Sequence, residues 1–127
     1  MSKITLGKRP EHFTPVTVEF PMPDGTTGTI EATFKYRTRE EYGAMIDKTR
    51  ADAKPLATGE AAPTVEALSA NGVHGDAVLT FSALHAWDLD EPLTFENVYQ
   101  LANEVPAAIT ALLAGYRRMV SEGRLGN

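Results

Sequence analysis

From Phe13 to Tyr36 apolar and polar residues alternate with period two, and no other feature of the chain constrains its fold as much. Thr17 and Glu19 separate Val16, Val18 and Phe20, and Glu31, Thr33 and Lys35 separate Ile30, Ala32, Phe34 and Tyr36. Successive side chains of a strand point to opposite faces, so each run reads as a strand with one buried face. Between the runs, Pro21-Met22-Pro23-Asp24-Gly25-Thr26-Thr27-Gly28 joins prolines that interrupt pairing to the turn chemistry of Asp24-Gly25. The spacing predicts an antiparallel β-hairpin over 13–36.

At Thr38 the period changes. Thr38-Arg39-Glu40-Glu41 has the form of a capping box, in which the threonine hydroxyl and the glutamate satisfy free backbone N–H groups at a helix start. Tyr42, Met45, Ile46 and Thr49 then share one helical face, predicting a helix over 38–50. Residues 51–63 carry Pro55, Gly59 and Pro63 among alanines, with Leu56 as the one large apolar side chain, and read as a linker. The rest, 64–127, reads as mainly helical. Thr64 is placed to cap a short helix through Val65 and Leu68 that Asn71-Gly72 would stop. Over 76–89 two patterns fit: Leu79, Phe81, Ala83 and Trp87 suit a strand, while Val78, Phe81, Leu84 and His85 suit a helix. Pro92 breaks whichever forms. Thr94 is an N-cap for a helix carrying Val98, Leu101 and Ala102 on one face. Pro106 opens a last and longest helix with Ile109, Leu112, Leu113, Tyr116, Met119 and Val120 at three- and four-residue intervals, and Gly123 is its stop. Arg124-Leu125-Gly126-Asn127 is expected to fray. The implied fold class is α+β, one domain over 1–127, with an N-terminal antiparallel β-hairpin packed against a C-terminal group of three to four α-helices.

Composition narrows the function. The 127 residues have a formal charge of -5, against the clustered Lys and Arg that phosphate neutralisation needs. The densest basic groups, Lys35 with Arg37 and Arg39, and Arg117 with Arg118, sit among acids such as Glu40, Glu41 and Glu122 and read as solvated helix surface. No nucleic acid and no membrane partner is expected, since no stretch approaches the roughly 20 apolar residues of a span. The absence of cysteine rules out disulfides and thiolate chemistry. A start without the apolar run of a signal peptide predicts a cytoplasmic protein.

Catalytic patterns are missing. His12, His74 and His85 form no spacing that sets two ligands on one helical face, so no metal is expected. His12 and His74 read as loop residues and His85 as a half-buried histidine. No serine has a glycine elbow around it. Gly25-Thr26-Thr27-Gly28 lies between strands with no helix to hold a phosphate. Asp88, Asp90 and Glu91 lack the glycine and terminal glutamate of a calcium loop and read as helix caps or solvated acids. No catalytic residue, no cofactor and no enzyme activity is expected.

The two ends of the chain resemble the tail assembly chaperones of long-tailed bacteriophages and prophages. At the N-terminal end the likeness lies in Ile4-Thr5-Leu6-Gly7-Lys8-Arg9-Pro10, Phe13-Thr14-Pro15-Val16-Thr17-Val18, Met22-Pro23-Asp24-Gly25 and Thr33 to Gly43. At the C-terminal end it lies in Ala86-Trp87-Asp88-Leu89, Leu93-Thr94-Phe95-Glu96-Asn97, Val105-Pro106-Ala107-Ala108, Tyr116 and the final Arg-Leu-Gly-Asn. Residues 51–75 depart from the pattern. The resemblance implies a protein of the host cytoplasm, not kept in the mature virion, that coats the tape measure protein and keeps it soluble. It also implies recruitment of the major tail tube protein, in many such families through a longer frameshifted product.

Weak, repeated apolar contacts suit that role, and aromatic and Met side chains make adaptable interfaces. Tyr42, Met45, Trp87, Tyr99, Tyr116 and Met119 are therefore the candidate protein-interaction residues, although at helical spacing each also fits a core position. Coating an extended partner is also compatible with self-association through a repeating contact. A structural tail component, a tube or terminator subunit, is the competing reading, but a ring-forming tube needs a larger sheet than one hairpin offers.

Overall fold

The computed structural model describes residues 3–52 and 64–123. Its elements run β1 (Val16–Pro21), β2 (Thr27–Phe34), α1 (Arg39–Asp52), α2 (Val65–Ala83), β3 (Leu84–Trp87), α3 (Phe95–Glu104) and α4 (Pro106–Glu122). The expected linker over 51–63 lies outside the described residues apart from its first two positions, which continue α1. The expected fraying of 124–127 also falls outside them.

β1 and β2 pair antiparallel, Val18 opposite Ile30 and Phe20 opposite Gly28, which places Val18, Phe20, Ile30, Ala32 and Phe34 on one face. That face is the buried one, and Thr17, Glu19, Thr29 and Glu31 face solvent. The turn closes as its residues require: Gly25 adopts φ 88°, and the Asp24 carboxylate accepts from the Thr26 amide at 3.0 Å and the Thr26 hydroxyl at 2.6 Å. The Thr26 hydroxyl first, and its amide next, hold the Asp24 carboxyl below the ordinary range.

Both readings of 76–89 describe part of what forms. Helix continues to Ala83, and the chain then extends as β3, pairing antiparallel with the second edge of β2. A register shift at Thr33/Phe34 separates the pairs Thr33–Ala86 and Phe34–Leu84. Asp88 is exposed, as expected of a solvated acid, and its carboxylate also accepts from the Glu31 amide at 2.8 Å and so fastens the end of β3 to the sheet.

Asn71-Gly72 does not stop α2, and α2 with 19 residues is longer than α4 with 17. Tertiary packing overrides the local signal: Ala77, Thr80 and Ala83 lie buried beyond it, where α2 meets α3 and α4. Gly72 has an ordinary negative φ, positive values being confined among the described residues to Gly7, Gly25 and Gly123.

The other helix boundaries follow their caps. Thr38 and Glu41 form the reciprocal box, the Glu41 amide donating to Thr38 Oγ1 at 3.2 Å and the Thr38 amide to Glu41 Oε1 at 2.9 Å. Thr94 Oγ1 accepts from the Asn97 amide at 3.2 Å. Gly123 ends α4 at φ 77°, its N–H donating to the Met119 carbonyl at 2.9 Å. α4 lies across the inner face of the sheet, where Ile109, Leu112 and Tyr116 meet the β1 and β2 side chains in a single core. α2 and α3 pack on each other and on α4. No helix among the described residues is long and apolar enough to cross a membrane.

Candidate protein-interaction surface

The six candidate residues divide by position. Tyr116 and Met119 are core: Tyr116 is fully buried and Met119 is nearly so. Tyr42, Met45, Trp87 and Tyr99 are half-buried, each packing one side against that core and leaving the other to solvent. Tyr42 and Met45 stand on α1, whose neighbours are α2 and α4, with the Tyr42 ring edge-on to Tyr116 at 5.5 Å. Trp87 ends β3 with its indole N–H donating to the Glu91 carbonyl at 2.8 Å. It shares a cleft of about 120 Å³ with Leu89, Glu91, Asn97, Leu101 and Glu104. Tyr99 lies on another side of α3, beside Phe95. These four residues therefore offer separate small surfaces rather than one patch.

Of the basic residues expected on a solvated surface, Lys35, Arg39 and Arg117 are exposed, whereas Arg37 is built into the structure. Arg37 sits between β2 and α1, where its Nη1 donates to the Ser82 carbonyl at 2.8 Å and to the Tyr116 hydroxyl at 2.9 Å. The Tyr116 hydroxyl in turn donates to the Lys35 carbonyl at 3.1 Å. Burial raises the Tyr116 phenol above its ordinary pKa, and the Arg37 contact partly opposes that. Arg9 forms an ion pair with Glu41. The Thr38 amide first, and Arg9 second, lower the Glu41 carboxyl. Arg37 thus spends its charge on the joint between the sheet, α2 and α4.

Two of the three histidines differ from expectation, while His12 lies outside the named helices and strands as expected. His74 lies within α2, because that helix runs on, and is exposed. His85 is exposed, and its ring stacks on His12 with centroids 4.6 Å apart. His12 reaches it because residue 12 bridges to Lys35, and its Nδ1 approaches the Phe13 carbonyl at 2.8 Å. His85 edges an open cleft of about 360 Å³ that Arg9, Glu11, Lys35, Tyr36, Arg37 and Glu41 also line. Among the described residues no three His, Asp or Glu side chains converge as a metal site would require.

Reasoning from spacing missed an aromatic seam between α2 and α3. Phe81 of α2 stands edge-on to Phe95 of α3 at 6.0 Å, Tyr99 follows at 6.3 Å from Phe95, and His74 meets Phe95 at 5.8 Å. The seven residues from His74 to Phe81 and the four from Phe95 to Tyr99 are a readable signal once both stretches are helix.

A family model described as phage tail assembly chaperone matches residues 1–127, the whole chain. No curated protein and no solved structure matches it.

Proposed function

The chain belongs to the phage tail assembly chaperone family, and from that premise we propose that it binds the tape measure protein, keeps it soluble and extended, and helps recruit tail tube subunits around it. It does so in the host cytoplasm and leaves before the virion is complete. The observation that carries this reading is the set of aromatic and Met side chains, Tyr42, Met45, Trp87 and Tyr99, held half-buried on a rigid core. Each is anchored on one side, so contacting a partner orders few further rotamers. Several small apolar sites on a charged exterior suit a long helical partner that needs covering without being folded up. A tube or terminator subunit is less well served by a sheet of three short strands with a polar outer face.

The test is co-expression with a tape measure protein, scoring how much of the latter stays in the soluble fraction. The proposal expects most of it to be soluble with the chaperone and most of it to precipitate without. Equal solubility in both cases would refute it.

A further inference from the structure

Charge is segregated along the chain. Between Lys54 and Arg117 there is no Lys or Arg, while eight carboxylates run from Glu60 to Glu104. That interval contains all of α2, β3 and α3. All 12 cations lie on either side of it, where they outnumber the acids.

The aromatic seam of Phe81, Phe95, Tyr99 and His74 is built from α2 and α3, two elements that carry no Lys or Arg of their own. It is not closed over: Phe81 is 37% exposed, His74 is exposed, and Phe95 and Tyr99 are half-buried. Glu96, next to Phe95 and on the exposed side of α3, borders it. Open aromatic rows between two helices are surfaces that a partner's apolar stripe covers. The surrounding charge then decides which partners are rejected, because a like charge brought to such a rim finds no counter-charge.

We propose that the α2–α3 seam is a docking face for an amphipathic helix whose apolar stripe is flanked by Lys or Arg. The inference rests on the tape-measure reading above and names the chemistry of the bound segment. The apolar stripe of the incoming helix lies along Phe81, Phe95 and Tyr99. Its Lys or Arg stems cross the ring edges and bring their charged ends to Glu96. A helix of the same stripe with acidic flanks is turned away.

The probe is a pair of synthetic helical peptides with the same leucine stripe, one flanked by Lys and one by Glu, titrated into the full chain while its amide NMR shifts are followed. The Lys peptide is expected to shift residues around 74–81 and 95–99 and to bind at least about tenfold more tightly than the Glu peptide. Phe81→Gln should weaken the Lys peptide roughly five- to tenfold. Glu96→Gln, which leaves the seam's packing alone, should weaken it roughly two- to fivefold. Equal affinities for the two peptides, shifts confined to another face, or full binding by both variants would overturn the proposal. So would seam shifts that depend on protein concentration without peptide, which would show a second copy as the occupant. A tape measure protein kept soluble by a chain that ignores the Lys peptide sinks this inference alone. A tape measure protein that precipitates regardless sinks the function proposed above.

Discussion

Replacing Gly72 and Gly75 by alanine separates a continuous α2 from the short helix that Asn71-Gly72 would end. In the structure both glycines have helical φ, and a Cβ built on either meets nothing within 4 Å. Alanine there returns the helix-interior penalty of glycine, about 0.8–1 kcal/mol at each site, with no steric cost to set against it. The pair should therefore add about 2 kcal/mol. At an unfolding entropy of about 2.1 cal/mol/K per residue, that raises the melting temperature by roughly 7 °C for a chain of this length. Were Gly72 a left-handed helix stop, alanine would instead meet the αL penalty of about 1 kcal/mol or more, and the sign would reverse. Urea unfolding followed by circular dichroism reads both cases, provided the m-value is unchanged. A midpoint lowered by Gly72→Ala would refute the continuous helix and the tertiary argument behind it.

Tyr116→Phe keeps the buried ring but strips the Lys35 carbonyl of a donor and Arg37 of an acceptor, and should cost about 2 kcal/mol in urea melts. A loss under about 0.5 kcal/mol would show that the joint is not sealed from water. Gly28→Ala sets a Cβ 2.6 Å from Met22 Sδ and 2.8 Å from Phe20 Cε2, and Phe20 is core. The overpacking, about 1–3 kcal/mol, outweighs the roughly 0.5–1 kcal/mol gained by removing a strand glycine, so the variant should melt earlier. Burial raises the Asp76 carboxyl above its ordinary 3.8, so the folded state favours its protonated form. That contribution is complete below 3.8 and is lost as pH rises through the folded value, which leaves a cost at neutral pH. Asp76→Asn should accordingly raise the urea midpoint at pH 7, with an advantage that fades on acidification. An advantage independent of pH would rule out that cause.

The hairpin and the caps were legible because each is decided within a few residues. Alternation over Val16–Phe20 and Ile30–Phe34 sets a face, and Thr38, Thr94, Pro106 and Gly123 each satisfy, or do without, specific backbone groups of their own helix. α2 was not legible, since Asn71-Gly72 is a true local stop signal whose defeat depends on Ala77, Thr80 and Ala83 finding α3 and α4. β3 failed for the same reason, four residues being too short for a period to declare itself without the free edge of β2. Arg37 was misread because its acidic sequence neighbours suggested solvent, whereas its partners lie at Ser82 and Tyr116.

The surface shows the same limit more sharply. The candidates were chosen because aromatic and Met side chains are adaptable, but residue type cannot tell which side of a helix becomes core. Tyr116 and Met119 share α4 with Leu112 and face the sheet, so their stickiness is used up in folding. Phe81 and Phe95 escape a reading by spacing because one lies in a stretch of undecided periodicity and the other stands at a helix start. The charge gap from Lys54 to Arg117 is fully written in the residues, yet as a string it says only that basic residues fall elsewhere. It acquires a meaning when α2 and α3 bring their aromatic rings to one seam, because only then do elements without a cation, with Glu96 beside Phe95, present something that a partner can cover.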